Sequence, residues 1–585
     1  MNIFLFVLLL LAFPLEAGQH KAVPVGHRAY QVIESAELRG LIQPQISVKP
    51  YPASEVLSLL NQLSAKKDLL NEREIEEIEY LLDELTVVYV ADELSDILLQ
   101  GSYRSFNENL DIGIAIGGTL DSQVTSSLTS SEYYDVRSSF RPYLRGDISD
   151  FISIYMDFGL RYDKLDNRVF LDTDFTIPGE GFYMLLTEGG ARLKNIPDDK
   201  FYTGLDFFPE ISLSFLSGAL QFRMGNILRD WGVGHNNLQL SGSARAFEAV
   251  EGHIEFSNWL SYSFIMGSLG IFSLETLNGD DFFSDSLDDR ENYQFNSNYS
   301  AKRVEVDLPW NVTVGIFESC VWQKRFEIGY LNPFGILMFQ QNLLGDFDNM
   351  LAGVDFQWRI PGLFRLHGTW STSEMNEVSL SRFFTAPRNI MAYQAGVDVN
   401  LPVGVFSNLA FQYTRLDAFF YTHYTHEDGD LHPIYRYDDA TLETAYVNKG
   451  ENLGYPLNPN SDELLVKTHI GLGFGLVTDI TMKYQRRSGQ YGYEIDMPID
   501  YDAYKTGEYD DKHFSGNLFE QSFSIEFSLS KQFVTLPLNI FGSYRFSRVI
   551  DRDRLTEETE LNQSYAAEWN EPTLNHVFQV GFHLY

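Results

Sequence analysis

Cysteine is nearly absent from this chain, in which Cys320 is the only one among 585 residues. A single thiol excludes an intramolecular disulfide, a cysteine-based zinc site and the ligand set of an iron–sulfur cluster. Basic residues are also scarce, since 43 lysines and arginines stand against 81 aspartates and glutamates, for a formal net charge of -38. Because a surface this acidic repels phosphate backbones, we expect no nucleic-acid partner.

Long apolar runs are missing except at the N-terminus. No apolar stretch after residue 20 is long enough for a membrane helix, so a membrane-spanning form of this protein has to be a β-barrel. The exception, Ile3 to Phe13, is followed by Pro14 and by a small-residue cleavage pattern at Ala17. Although no lysine or arginine precedes the run, it predicts a signal peptide over residues 1–17 and export of the rest, rather than a buried terminal helix or strand.

The segment that follows has a helical period. Leucines between residues 57 and 63 recur at helical spacing after Ser54, which we expect to be the N-cap. Apolar residues from Ile75 to Leu85 repeat with the same period opposite a face of Glu and Asp. The pattern predicts two or three helices, which we assign to a small helical segment over residues 18–100.

From about Gly101 the hydrophobic period changes from 3.6 to 2. Every even residue from Ile152 to Tyr162 is apolar, and Phe523 to Leu529 alternate with serine and glutamate. Similar registers run through residues 393–401, 409–413, 470–476 and 480–484. Strands of about eight to twelve residues with one apolar face suit a bilayer, whereas the strands of soluble sandwiches are shorter.

The connections between these strands are of very unequal length. Polar stretches at 278–300, 417–463 and 496–518 contrast with tight turns at 361–362 and 402–404. Aromatic residues that we expect near strand ends, at the headgroup level, are Tyr143, Tyr155, Tyr162, Trp259, Tyr262, Trp310, Trp358, Trp370, Tyr484 and Tyr544. These features predict an all-β fold, a large transmembrane antiparallel β-barrel over residues 101–585 with about 14 to 18 strands, 18 being favoured.

Two blocks rich in glycine, asparagine and aromatic residues interrupt the strand pattern, at 226–241 and 446–462. Gly232 and Gly234 predict a sharp turn that brings Trp231 and His235 together. A sugar site needs flat aromatic faces beside forked hydrogen-bonding groups. The candidate polysaccharide-binding residues are therefore Arg229, Asp230, Trp231, His235 and Tyr455. The competing interpretation is an interior polar network that holds a turn.

These blocks, R-D-W-G-V-G-H-N-N-L-Q-L-S from Arg229 and K-G-E-N-L-G-Y-P-L-N-P-N-S-D from Lys449, carry a family resemblance. The sequence resembles the capsule assembly Wzi family of outer-membrane proteins, as does the order of export signal, helical segment and long barrel. A final amphipathic strand through Phe578, Val580, Phe582 and Leu584 is similar to the C-terminal signal of outer-membrane barrels.

The resemblance implies a barrel in the cell outer membrane with a helical bundle at its periplasmic end. It further implies a lectin-like, non-catalytic role in the assembly or attachment of a capsular or exopolysaccharide. The implied partners are that polysaccharide, outer-membrane lipid and other proteins of envelope assembly. The very acidic balance of this chain departs from the family and leaves the identity of the glycan open.

The alternative function is an outer-membrane porin or transport channel for small solutes, which needs an open polar lumen. The sequence contains no nucleophile-elbow or His-Glu-x-x-His motif, so we expect no enzyme and no cofactor. His423, His426 and His432 follow no ligand spacing, so we expect no metal site there. The acidic loop from Asp280 to Asp289 lacks the pattern of a calcium loop, although loose calcium binding stays open.

Overall fold

A computed structural model of the chain describes residues 19–86, 101–107, 110–128, 133–149, 151–164, 182–187, 190–194, 201–269, 297–323, 327–344, 348–422, 444–448, 451–489, 491–493, 518–533, 536–553 and 565–584. The predicted signal peptide therefore lies outside the described residues. In this part of the chain the helices are α1 (Arg28–Arg39), α2 (Ala53–Ser64), α3 (Glu72–Leu85), α4 (Ile328–Leu331) and α5 (Leu337–Leu344). No helix among the described residues is long and apolar enough to cross a membrane.

The strands are β1 (Val48–Lys49), β2 (Gly101–Asn107), β3 (Leu110–Ser127), β4 (Tyr133–Ile148), β5 (Ile152–Lys164), β6 (Phe182–Thr187), β7 (Gly190–Lys194), β8 (Phe201–Phe215), β9 (Leu220–Ile227), β10 (Asp230–Trp231), β11 (Phe247–Ser257), β12 (Leu260–Ser268), β13 (Ser297–Leu308), β14 (Val312–Gln323), β15 (Asn349–Ile360), β16 (Phe364–Glu374), β17 (Ile390–Leu401), β18 (Val405–Leu416), β19 (Val447–Asn448), β20 (Glu451–Asn452), β21 (Ser461–Gly473), β22 (Leu476–Ser488), β23 (Leu518–Gln532), β24 (Leu538–Asp551) and β25 (Thr573–Leu584).

Among the described residues, 18 of these strands form a closed antiparallel ring. Each strand of the ring pairs with the ring strand that follows it in the chain, so that β5 pairs with β8, β9 with β11 and β18 with β21. The β6–β7 hairpin rests on β8. The last strand closes the ring by pairing with β3, from Val577 opposite Ser127 to Leu584 opposite Leu120. Strand β2 covers the first half of the same β3 edge. The predicted barrel of 18 strands is confirmed.

Helices α1 to α3 lie at the end of the barrel where the turns are short, whereas α4 and α5 belong to the long connection between β14 and β15. The backbone N–H of Gly362, in the turn between β15 and β16, donates to the carbonyl oxygen of Leu38 at 2.7 Å. Residue Phe406 of β18 belongs to the same apolar cluster as helices α1 to α3. Short turns face the periplasm in outer-membrane barrels. The helices are thus packed against the barrel rather than attached loosely to it.

The helix predicted after Ser54 has a different N-terminus. Its N-cap is Pro52, whose side chain makes no capping hydrogen bond. The first amides of α2 are instead satisfied by the preceding chain, because Ala53 N–H donates to the Lys21 carbonyl at 2.9 Å and Ser54 N–H to that of Gln19 at 2.7 Å. The prediction of Ser54 as N-cap was wrong because a neighbouring backbone segment replaces the side chain.

Two strand predictions also need correction. Residues 470–476 do not form one strand, because Gly473, Phe474 and Gly475 have φ values of 85°, 54° and 71° and make the turn between β21 and β22. The loops predicted at 278–300 and 417–463 extend a few residues too far, since β13 starts at Ser297 and β21 at Ser461. Residues 496–518 lie almost entirely outside the described residues.

Outward apolar and inward polar side chains alternate along the strands of the barrel wall, as predicted. In β5 the side chains of Phe158, Leu160 and Tyr162 are exposed on the outside, whereas Ser153 is buried on the inside. Outward apolar side chains on neighbouring strands form the face that a membrane requires. Trp310 lies 84% exposed in the short turn between β13 and β14, where a headgroup contact is expected.

Two aromatic residues assigned to the headgroup level face the lumen instead. The rings of Tyr143 and Tyr155 stack with centroids 6.0 Å apart. The ammonium of Lys21, from the N-terminal segment, lies 3.4 Å from the centroid of the Tyr155 ring. Their odd positions in β4 and β5 place them on the polar inner face, so this part of the aromatic prediction was wrong.

The N-terminal segment, residues 19–52, runs through the lumen and bonds to the inner wall. The amide of Ala22 donates to the Glu210 carboxylate at 2.7 Å. The amide of Ser47 donates to that of Glu305 at 3.0 Å, and Glu37 pairs with Arg359 at 3.4 Å. Because buried charges on the wall need partners, this segment completes the interior of the barrel.

Candidate functional site

Two connections fold into the barrel from the end opposite helices α1 to α3. We define the first inner loop as residues 228–246 and the second inner loop as the described parts of 417–460, and each contains one of the two sequence blocks. They share an apolar cluster with the inner wall. The amide of Ser241 in the first inner loop donates to the carbonyl of Leu453 in the second at 2.8 Å. The two blocks, far apart in sequence, therefore form one packed unit.

Arg229 is enclosed at the start of the first inner loop. Its Nε donates to Glu251 at 2.6 Å, and its terminal nitrogens donate to the carbonyls of Gly225, Ile227 and Phe247 at 2.9 to 3.0 Å. The side chain is fully buried. Its guanidinium thus joins the end of β9 to the start of β11 and has no face open to a ligand.

Asp230 and Trp231 form strand β10 and connect the loop to the N-terminal segment. They pair with β1, Trp231 opposite Val48 and Asp230 opposite Lys49. The Trp231 ring is 1% exposed and belongs to the apolar cluster. One carboxylate oxygen of Asp230 accepts from Asn237 Nδ2 at 2.7 Å and from the Gly242 amide at 3.1 Å. Burial raises the pKa of Asp230 above its ordinary value, although Lys49 acts against it.

His235 is reached through a sharp turn, as the two glycines predict. Gly232 has a φ of 141°, where a side chain would be strained and would strike Asn237. The His235 N–H donates to Gln412 Oε1 at 2.8 Å, and Gln412 Nε2 donates to the His235 carbonyl at 2.7 Å. Its ring Nε2 lies 2.6 Å from Asp398 Oδ1, on β17. The turn is therefore present, but it sends His235 to the wall while Trp231 packs in the apolar cluster.

Tyr455 is fully buried in the second inner loop. Its hydroxyl donates to Glu463, and its amide donates to the hydroxyl of Tyr421 at 2.8 Å. Tyr421 in turn donates to the Leu238 carbonyl of the first inner loop at 2.9 Å. The hydroxyl of Tyr446 donates to the next carbonyl, that of Gln239, at 3.0 Å. These tyrosines hold the two inner loops together.

Between helix α1, the first inner loop and the wall lies a chamber of about 480 Å³. Asp230 and His235 line it, whereas Arg229, Trp231 and Tyr455 do not. Its other charged lining residues come from α1, β1 and four wall strands, and they are Glu34, Glu37, Lys49, Arg365, Lys467, Lys483 and Glu526. Half of the acidic and basic lining residues are cationic, in a chain whose basic residues are scarce.

The charges inside the chamber are fixed by pairing. Lys49 Nζ lies 2.5 Å from Glu34 Oε1. Burial alone would raise the pKa of Glu34, but Lys49, Arg365 and His235 outweigh it and lower the pKa to about 2. Burial likewise acts to lower the pKa of Lys49, and Glu34 reverses it, so that the pKa is raised. The pair therefore stays ionised and offers both a donor and an acceptor to a polar ligand.

Sequence reasoning missed the chamber lining outside the two blocks. Lys467 and Lys483 carried one available signal, because a lysine on the inner face of an alternating strand lies at a polar position. Nothing in the sequence places Glu34 beside them, since only the tertiary fold brings α1 into the lumen. The histidines of 423–432 and the acidic loop of 280–289 lie outside the described residues.

Comparison with known proteins gives a fold but no sequence family. No family model and no curated protein matches the chain. Among solved structures, Wzi from Escherichia coli, described as an outer-membrane protein involved in group 1 capsule assembly and a carbohydrate-binding β-barrel, aligns with a TM-score of 0.52 and 10% identity over 97% of this chain and 99% of its own. Pseudomonas aeruginosa OpdK with vanillate gives 0.38 at 9% identity over 82% of this chain and 100% of its own.

Pseudomonas aeruginosa OprD also gives a TM-score of 0.38, at 7% identity over 80% of this chain and 95% of its own. The match to Wzi extends over nearly the full length of both chains, so it includes the helical segment as well as the barrel. The chain therefore has the fold of the capsule-assembly barrel Wzi, as the two sequence blocks led us to expect.

Proposed function

We propose that this protein is a non-catalytic outer-membrane barrel that binds a surface polysaccharide and takes part in its assembly or attachment. The observation that carries the proposal is the charged chamber inside an occupied lumen. The carbohydrate binding and capsule assembly described for Wzi, whose fold the chain shares, support it. Removal of residues 1–17 on export, a periplasmic position for the helices and contacts with other envelope-assembly proteins belong to the same proposal.

The chamber suits a sugar because its polar groups are already oriented. Lys467 and Lys483 on neighbouring strands β21 and β22 face it from one side, and Asp230 and His235 face it from the first inner loop. Ammonium and carboxylate groups in fixed positions bind sugar hydroxyls through charge-assisted hydrogen bonds, which are about twice as strong as neutral ones.

The five residues singled out from the sequence then divide into two roles. Asp230 and His235 contact the polysaccharide, because they line the chamber. Arg229, Trp231 and Tyr455 act indirectly, since they are buried and hold the inner loops in position. The aromatic stacking surface that a sugar site favours is not supplied by Trp231 in this arrangement.

The test is to replace Lys467 and Lys483 by alanine and to measure folded barrel and cell-bound polysaccharide in the same cells. Both side chains are only partly buried. Lys483 lies 3.8 Å from the buried carboxylate of Glu463, which keeps its hydrogen bonds from Tyr455 and Gln485 when the lysine is removed. We expect a several-fold loss of retained polysaccharide with an unchanged amount of heat-modifiable barrel. Lys67→Ala, on the exposed surface of the helical segment, is the matched control and should retain polysaccharide normally.

Normal retention by the double variant at normal barrel abundance would reject the chamber as the binding surface. The alternative function, a channel for small solutes, predicts instead that the double variant changes conductance and leaves retained polysaccharide unaltered.

A further inference from the structure

A cluster of three metal-ligating side chains lies at the border of the chamber. His235 from the first inner loop, His367 from β16 and Asp398 from β17 place one ligand atom each within 4.8 Å of one another. His367 Nε2 is 3.6 Å from Asp398 Oδ2, so both imidazoles lie beside the same carboxylate. Two imidazoles and a carboxylate are a common protein ligand set for zinc and related metals.

His367 is the part of the cluster that protein contacts leave unsatisfied. Its side chain is fully buried, and neither ring nitrogen has a hydrogen-bond partner. A buried imidazole with both nitrogens unpartnered costs free energy unless an additional group binds it. The wall is shaped for this ring, because Gly396 lies opposite His367 in the sheet and any Cβ there would come within 2.4 Å of His367 Nε2.

Asp398 is oriented by a separate contact. Arg365 Nε donates to Asp398 Oδ2 at 2.8 Å, and Arg365 Nη2 lies 2.7 Å from the same oxygen. The other oxygen, Oδ1, faces His235 at 2.6 Å. An outer partner that fixes one carboxylate oxygen and leaves the other for an ion is the usual support of a metal ligand.

We propose that His235, His367 and Asp398 bind one divalent transition-metal ion, of which Zn²⁺ is the probe. The His235 ring is 20% exposed and stands on a loop, so it can widen its distance to Asp398 to accommodate the ion. His235 and Arg365 line the chamber, which gives water access to a fourth coordination position. The ion then ties the first inner loop to the barrel wall.

The experiment uses the full-length barrel in detergent without a polyhistidine tag. The protein is stripped with EDTA, dialysed against Zn²⁺ in an excess of Ca²⁺ that occupies oxygen-only acidic sites, and analysed for bound zinc. We expect one zinc per wild-type barrel and none retained by His367→Ala or His235→Ala. His253→Ala is the matched control, because His253 is also buried on the inner wall but bonds to Ser263 at 2.9 Å outside the cluster.

Two outcomes would overturn the proposal. One is a wild-type barrel that retains no stoichiometric zinc, and the other is equal retention by His367→Ala. Should both cluster variants fail to give a heat-modifiable folded band, X-ray absorption of the zinc-loaded wild-type barrel decides the matter. Two imidazoles and one or two oxygen neighbours agree with the cluster, whereas an all-oxygen shell contradicts it.

Discussion

At the scale of single residues, the motif that carries the family resemblance is mostly interior. The Arg229 guanidinium donates hydrogen bonds to three backbone carbonyls and to Glu251. Arg223 also donates to Glu251, at 2.6 Å. A lysine could neutralise Glu251 but could not reach carbonyls on two strands in the same geometry. The likeness therefore reflects the way in which the inner loop is fixed to the wall.

Arg229→Lys should accordingly lower stability while leaving the chamber residues in place. Each buried carbonyl left without a donor costs about 1–3 kcal/mol. We expect the folded band of the variant to be lost at a clearly lower temperature on unheated and heated gels. Arg73→Lys, the same substitution at an exposed position of α3, is the control and should behave as wild type. An unchanged transition for Arg229→Lys would show that its hydrogen bonds do not hold the loop.

Residue patterns predicted some of these details and missed others for physical reasons. The turn at Gly232 was predictable, because local glycine chemistry requires it. The burial of Trp231 was not, since it depends on Val48, which is distant in sequence. His235 and Asp398 are 163 positions apart, so no spacing rule relates them.

At the scale of elements, the helical segment packs directly against the barrel. The helical period suggested an independent segment, but Val405 and Phe406 of β18 belong to its apolar cluster. Strand β1 pairs with β10, and the amide of Gly232 donates to the Ser47 carbonyl at 2.8 Å. The N-terminal segment therefore supports the first inner loop directly.

Deletion of residues 19–86 should release that loop without dissolving the barrel wall, whose ladder is formed by later strands. We expect protease to cleave within residues 228–246 in the deletion variant and not in the wild type, both inserted in membrane vesicles. A variant lacking only residues 65–86 retains β1 and should remain protected. Equal protection in both deletions would show that the loop holds its position by itself.

At the scale of the whole molecule, alternation and loop asymmetry were sufficient to predict a barrel of about 14 to 18 strands, 18 being favoured, and the described residues form a closed ring of 18. They were sufficient because every strand of a membrane barrel alternates outward apolar and inward polar side chains. Every strand must also have both edges hydrogen-bonded, which closes the sheet into a ring. The contents of the lumen were beyond such patterns. An inner-face position is polar in sequence whether it meets water or a protein partner. Arg359, for example, pairs with Glu37, which lies 322 positions earlier in the chain.

The N-terminal segment and the two inner loops occupy the lumen, and under the proposed function the barrel therefore holds a ligand and does not conduct solutes. Single-channel conductance of the purified wild-type barrel in a planar bilayer tests this most directly, with an open 18-stranded porin as the standard. We expect conductance far below that of the porin. Steady conductance equal to that of the porin would show an open lumen and would contradict the proposed function.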